Sequence, residues 1–433
     1  MDYWKHLVFP LTAMSLLLYA LLWLPWFEGY RAAESVLAVL LLATLVRFWR
    51  PWFRDDPLVR LWLLFVGFLV LAQFWYAFSL PDSEAFAPSA KATRHYTKPI
   101  LILAVGIMAL QYGRRFLLWF AAAAVTGLIV HLALQLETTQ WERALSGRRV
   151  DFNFQNAQHT ALVFGTLLLA SVCYLPRALT GPHSTAVRVL KGLVTTSLIT
   201  LGAFGVIVTQ TRGVWLGLFS GVIVALGALL LSTRRTRTSL IIGCTTVFLA
   251  AGALFALNID ERISNRFDRA DIPEHLEHLA TDTAIEDIEL DSSGVRIASW
   301  LATIDWIQQR PLLGWGADNA QDLIDRSPHF NDRFKERFSH LHNMHLEILL
   351  AHGLLGGALF YGMFIAVCVA AWRAYARGTM PADAALFGLA FTIFWAIANV
   401  FESYSIYISG QYLTTVGFGV IYAFHFSANN TRY

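Results

Sequence analysis

Long apolar runs separated by short polar breaks set the pattern of this chain. Runs long enough to cross a hydrocarbon core of about 30 Å occur near residues 7–26, 32–48, 58–79, 98–112, 115–136, 158–176, 190–209, 213–231, 239–257, 345–371, 383–400 and 405–426. They predict an all-α polytopic membrane protein with about 12 transmembrane helices. The fourth run is short and meets the fifth through Tyr112–Arg115, which reads as a tight helical hairpin. The first follows a Met1–His6 leader with no small-residue cleavage site after it, so it is expected to stay as a span.

One polar break is long, and it divides the chain into 1–257 with helices 1–9, a loop domain at 258–344, and 345–433 with helices 10–12. Residues 258–291 are acidic and poor in aromatics, as in short helices or a mobile lid. The run Glu286-Asp287-Ile288-Glu289-Leu290-Asp291 reads as a solvated acidic face, since its spacing fits no calcium loop. After Ser292 or Ser293 as a cap, Ile297, Leu301, Ile304 and Ile307 mark the apolar stripe of a helix. Arg296 and Trp300 share one flank of it. Pro311 ends it, and Gly314-Trp315-Gly316 makes a turn. Trp306 and Trp315 suit a helix lying along a membrane surface.

Composition agrees. Hydrophobic residues make up 56% and charged residues 15%, against roughly 25% charged in soluble proteins; mean hydropathy is +0.51. Cys173, Cys244 and Cys368 all lie inside apolar runs, where they read as small core residues. Basic residues in the short loops set the orientation. Arg47, Arg50, Arg54, Arg114, Arg115, Arg177, Arg188, Lys191, Arg234, Arg235, Arg237, Arg373 and Arg377 share one side, so both termini are expected inside. The long loop then faces outward and is acidic. Lys91, Arg94, Lys98, Arg143, Arg148, Arg149 and Arg212 are outer-side exceptions, which calls for something besides topology to hold them.

Chemistry concentrates in Ser339–Gly356, where His340, His342 and His345 lie at the junction of polar loop and apolar helix. Asn343 is a fair N-cap, Glu347 follows in the helix, and Gly353 and Gly356 give a thin packing face. Titratable groups at a membrane edge are costly and point to function, although His345 and His352 taken singly read as ordinary cap or core residues. Zinc on His340, His342 and His345 would need a bent backbone, and no carboxylate or Cys lies in ligand register, so no metal and no cofactor are expected. No phosphate-binding glycine loop, His-Glu-x-x-His or Gly-x-Ser-x-Gly is present, and the inner loops are too short for a nucleotide domain. What remains is arginine with histidine on the outer face. That set suits an anionic diphosphate leaving group and a neutral imidazole base. A lipid-linked diphosphate is the obvious donor where no nucleotide pool exists.

These features together resemble a known family. About twelve spans, one large outer loop before the tenth, Thr209-Gln210-Thr211-Arg212-Gly213 opening the eighth, and His342-Asn343 with Gly353 and Gly356 after it are similar to the O-antigen ligases. Gly294-Val295-Arg296 with Pro311-Leu312-Leu313-Gly314-Trp315-Gly316 also looks like this superfamily, which includes O-antigen polymerases and pilin oligosaccharyltransferases. The likeness covers roughly 200–430; earlier, only the hydropathy and Asn153-Phe154-Gln155-Asn156 match.

The resemblance implies a metal-independent, inverting glycosyltransferase of lipopolysaccharide biosynthesis in a bacterial inner membrane. Its active site would face the periplasm. It would move polysaccharide from undecaprenyl diphosphate to a sugar hydroxyl of lipid A–core. Donor, acceptor and membrane lipids are its partners, with no nucleic acid. His342 matches the base, and Arg212 and Arg296 match the diphosphate-binding arginines. His340, Asn343 and Trp300 join them as substrate-side candidates. Glu347 is a candidate to hold the imidazole, although five residues on an ideal helix put it about 140° round from His342. Arg148 and Arg149 are candidates for acceptor phosphates. A polymerase, a protein glycosyltransferase and a polyisoprenoid-glycan transporter remain open. Charges gathered at one face, with no inner counterpart to the outer domain, favour an enzyme over a transporter.

Overall fold

The computed structural model describes residues 3–79, 90–230, 294–337 and 340–427. Their regular structure is helical throughout: α1 (Phe9–Leu22), α2 (Phe27–Arg47), α3 (Pro57–Ser79), α4 (Ala90–Thr97), α5 (Ile102–Tyr112), α6 (Arg115–Leu134), α7 (Thr139–Leu145), α8 (Ala157–Thr180), α9 (Thr185–Val208), α10 (Arg212–Leu230), α11 (Gly294–Gln309), α12 (Ala320–Arg326), α13 (Asp332–Arg337), α14 (Met344–Ala376), α15 (Ala382–Ala398) and α16 (Ile408–Ser427). Seven helices among the described residues are long and apolar enough to cross a membrane; Arg212–Ala225 and Ala382–Ala398 are shorter apolar helices. The chain is thus a multi-pass membrane protein. The expected span at 239–257, the acidic stretch 258–291, the Ser292 or Ser293 cap, Arg234, Arg235, Arg237 and Cys244 lie outside the described residues. The expected hairpin is present: α5 stops at Tyr112, Gly113 takes φ +75°, and α6 starts at Arg115.

Cross-links define two ends of the bundle. At one end Val150 N–H donates to Val208 O, Thr211 Oγ1 to Ala157 O, and Tyr412 Oη to Ala20 O. At the other, Arg177 pairs with Asp383 at 2.5 Å and Arg114 donates to Thr379 O. The second end carries most of the loop arginines. Between them lies an aromatic core, with the rings of Phe364 and Trp395 4.9 Å apart and Phe418 5.0 Å from Phe364. One outer-side exception finds its holder here: Lys98 pairs with Glu34 of α2 at 2.7 Å, both only partly exposed.

Helix α14 is broken, which the expected straight span at 345–371 did not anticipate. Gly353 takes φ +61° and ψ −169°. The chain doubles back there, so His345 Nδ1 lies 2.6 Å from Tyr361 Oη, sixteen positions on. A straight helix would separate these residues by about 24 Å. Breaking a helix frees backbone groups that lipid cannot satisfy. The turn after α11 supplies their partners. Trp315 and Gly316 N–H donate to Leu350 and Ala351 O at 2.8 and 2.9 Å, while Leu354 and Leu355 N–H donate to Pro311 and Leu312 O at 2.8 and 3.2 Å. The approach is so close that a Cβ on Gly353 would fall 2.3 Å from the Leu312 carbonyl carbon. Gly353 therefore serves a kink and a docked loop, which corrects the expectation of a thin helix face. The segment before it begins beside Tyr361, about 12 Å below the kink by helical rise, which sinks the residues just upstream into the bundle.

Helix α11 forms as expected, and most of its stripe faces inward: Ile297 is buried and Leu301 and Ile307 pack half-buried against the same core, while Ile304 is exposed. Val295, Ala298, Ser299, Ala302, Thr303 and Trp306 are buried with them, so the inward face is wider than the stripe. Its small residues let the helix approach its neighbours closely. Trp306 is a core residue against Phe330 rather than a surface anchor. Trp315 donates its indole N–H to Trp306 O and stacks under Arg310 at 4.6 Å.

Candidate active site

The loop between α15 and α16 organises the site. Asn343 caps α14 as expected, its Oδ1 accepting from His345 and Leu346 N–H at 3.0 and 3.2 Å. Met344 N–H donates to Asn399 O at 2.9 Å, and Asn343 N–H to Ser403 Oγ at 3.1 Å. These bonds fasten the histidine segment to residues 399–403. His342 itself takes φ +52°, a left-handed conformation stored in the turn.

Glu402 lies at the centre and is fully buried. Its Oε1 is 3.1 Å from His340 Nε2 and 3.6 Å from His342 Nδ1, and the two imidazole rings are 4.1 Å apart. Gln158 Nε2 donates to its Oε2 at 2.6 Å and Ser403 N–H to its Oε1 at 3.0 Å. Asn156 caps α8 and so aims Gln158 inward. Burial alone would raise the Glu402 carboxyl, but hydrogen bonds from His340 and His342 hold it well below the usual carboxylate range. The two histidines then part. Burial pulls His340 down, yet its bond to Glu402 and the carboxylate charge outweigh that and raise it. Burial lowers His342, and His340 and Arg296 add to that against the pull of Glu402. One imidazole is thus pushed toward the cation and the other toward the neutral base, the separation that assigns acid and base roles in a pair.

Phe401 gathers the arginine side. Arg296 Nε donates to Phe401 O at 3.4 Å, and Trp300 faces the Phe401 ring at 6.3 Å. Gly213, next to Arg212, packs so tightly that a Cβ would fall 2.6 Å from Phe401 Cβ. Arg212, Arg296, Trp300, His340 and His342 therefore surround one loop. The Arg148–Arg149 pair divides: Arg148 is exposed, while Arg149 is half-buried and donates to Thr209 O at 3.1 Å.

Glu347 does not hold the His342 imidazole. It is buried and accepts from Leu341 N–H at 3.3 Å and Ser403 Oγ at 3.1 Å, bracing the loop instead. His342 lies before the Asn343 cap with a left-handed backbone, so the ideal-helix angle does not apply; the bonds to Leu341 and Ser403 engage Glu347 instead. His345 has both nitrogens occupied, by Tyr361 Oη and by Ala396 O at 2.9 Å. His352 is core, its ring 4.6 Å from Tyr96. Sequence reasoning missed Glu402, Gln158 and Tyr407, whose Oη is 3.5 Å from His340 Nδ1. It also missed His159, buried between Tyr404 and Tyr407 with Nδ1 2.5 Å from Ser409 Oγ. Glu402 had a signal: one carboxylate alone between two apolar runs. Among the described residues, His340, His342 and Glu402 also form a donor set within 4.8 Å that could hold a metal ion. The carboxylate absent from local ligand register thus arrives from a distant loop.

The O-antigen ligase family model matches residues 197–361. That segment is similar to the O-antigen ligase family. A comparison with curated proteins finds no match. Arg212, Arg296, His340, His342 and the Gly353 kink all fall inside the matched segment; Glu402, Gln158 and Arg149 lie outside it.

Proposed function

We propose that the protein is an O-antigen ligase of a bacterial inner membrane, transferring polysaccharide from undecaprenyl diphosphate to a sugar hydroxyl of lipid A–core at the periplasmic face. The observation that carries this reading is the placement of His340 and His342, both inside the matched segment, against the buried Glu402 carboxylate, with Arg296 at the same loop; the opposed protonation tendencies of the two imidazoles agree with it. His342 Nδ1 faces Glu402, which leaves Nε2 to take the proton of the acceptor hydroxyl. The hydroxyl oxygen bonds to the anomeric carbon as the bond to the diphosphate breaks on the opposite face, so the configuration inverts. Arg212 and Arg296 stabilise the charge collecting on the leaving diphosphate. His340, drawn toward the cation, adds positive charge, and Trp300 offers a face for sugar. Arginines at the opposite end of the bundle support an outward-facing site. An apolar groove of about 640 Å³, open between α14 and α15 and starting at His345, suits an isoprenoid chain.

One competing reading has its own observation. The donor set of His340, His342 and Glu402 fits a divalent cation, and a bound cation would remove His342 as base. Transfer from an undecaprenyl-diphosphate glycan to lipid A–core, with EDTA and no nucleotide, separates the readings. Product with wild type, lost by about 10²-fold or more in His342→Ala and Arg296→Ala, is the expected result. Loss on EDTA restored by metal would replace the base mechanism with a metal site. Elongation of the donor would make the protein a polymerase, transfer only to a protein acceptor an oligosaccharyltransferase, and movement of unchanged donor across the bilayer a transporter.

A further inference from the structure

Beside the loop that carries Glu402 lies a small cavity of about 20 Å³, where one water needs roughly 10–15 Å³. Three buried oxygens with no hydrogen-bond partner among the described residues, Asn399 Oδ1, Ser405 Oγ and Gln411 Oε1, belong to residues that line it. Asn399 and Gln411 are 0% and 5% exposed. Both amides have fixed orientations. Asn399 Nδ2 donates to Trp395 O at 2.7 Å. Gln411 Nε2 donates to Ser405 O and lies against His95 Nδ1, each at 2.8 Å. The nitrogens are engaged elsewhere, so two carbonyl oxygens are left as acceptors and one hydroxyl can give a proton.

We infer that this cavity binds a single water molecule that clamps the segment from Asn399 to Gln411, and with it Glu402, onto the body of the bundle. The donor count closes. The water gives its two hydrogens to Asn399 Oδ1 and Gln411 Oε1 and accepts the Ser405 hydroxyl, which makes the three bonds usual for a buried water. Without it three buried polar atoms would lie unpaired, each with its desolvation uncompensated. A metal cation fits poorly, because Lys98 lines the same cavity and holds its ammonium 2.7 Å from Glu34. The clamp also has a place in the mechanism. Glu402 is three residues from Asn399 and three from Ser405, and Ser403 between them touches both Asn343 and Glu347. The loop is held both by the histidine segment and by this water. Asn399, Ser405 and Gln411 are therefore positioning residues for Glu402, a role that rests on the function proposed above.

The test is a structure of the full chain in lipid nanodiscs, at a resolution that shows ordered water, with kinetics of Ser405→Ala and Gln411→Met alongside. The expected result is one peak about 2.7–3.2 Å from all three oxygens, absent in Gln411→Met. Both variants should lose kcat by about tenfold with donor KM within about twofold. Their alkaline pH limb should move down, since a loosened Glu402 holds the His340 proton less well. Ser405→Ala keeps the volume of the site nearly unchanged, so it stands if Gln411→Met fails to fold. An empty cavity, or contacts of about 2.3–2.6 Å typical of a hard cation, overturns the inference. So does an unchanged pH profile with full kcat. If wild-type protein transfers no glycan, the proposed function fails while the density still decides the water.

Discussion

The two ends of this bundle each bury a carboxylate beside a histidine and a tyrosine, and they put them to opposite use. At the arginine-rich end Asp56 caps α3, accepting from Val59 N–H at 3.0 Å, and Tyr422 Oη lies 2.8 and 2.9 Å from its oxygens. His425 Nε2 stands off at 3.9 Å. Burial raises the Asp56 carboxyl despite those bonds. Glu402 is equally buried, but two imidazoles within 3.6 Å hold it low. The same residue types make a capped, neutral-leaning joint at one end and an ionised centre at the other. What separates them is the nearness of imidazole partners that can carry a positive charge, together with the partial exposure of His340 and His342.

Substitutions at the two carboxylates test that contrast most severely. Glu402→Gln removes the charge that separates the two histidines, and kcat for transfer should fall by about 10²-fold or more, with the purified protein still folded by thermal unfolding. Arg149→Ala should cost about tenfold in kcat/KM, the worth of one charged hydrogen bond, while exposed Arg148→Ala stays within about threefold; equal losses would mean that burial does not separate the pair. The pH profile should be bell-shaped. His342, lowered, must be neutral, so the acid limb falls below the ordinary imidazole value of about 6.5, and His340, raised, puts the alkaline limb above it. The same raised group links to stability: its pairing with Glu402 is fully present below the unfolded imidazole pKa and is lost as pH rises through the folded value. The Glu402 contribution is present above the unfolded carboxylate pKa and is lost only as pH falls through its lower folded value. Smallest of all, Asp56→Asn keeps a capping oxygen and should leave kcat within about twofold. A large loss there would mean that the two ends are coupled.

The segments that carry chemistry could be read along the chain wherever the signal was local. Asn343 capped the helix it precedes, Pro311 closed α11, and Gly113 made the tight hairpin, because each depends on a few neighbouring backbone groups. Arg212, Arg296 and His342 stand out in the sequence as a set; Arg296 and His342 reach the loop of Phe401 and Glu402, and the Gly213 next to Arg212 packs against it. The errors came where contacts are distant. Of the Ile297–Leu301–Ile304–Ile307 stripe only Ile304 turned outward, while Trp306, read as a surface anchor, joined the core. Glu347 lost the imidazole to Glu402, which is 60 positions from His342.

Apolar run length and charge asymmetry by themselves determined a multi-pass helical membrane protein with its chemistry at one face, because the bilayer imposes those constraints on every segment separately. The tertiary structure alone decided which carboxylate meets the histidines and where α14 breaks. It also decided that the turn at Pro311–Gly316 repairs the break. Those outcomes depend on backbone and side-chain groups far apart in sequence finding partners in a medium that offers none.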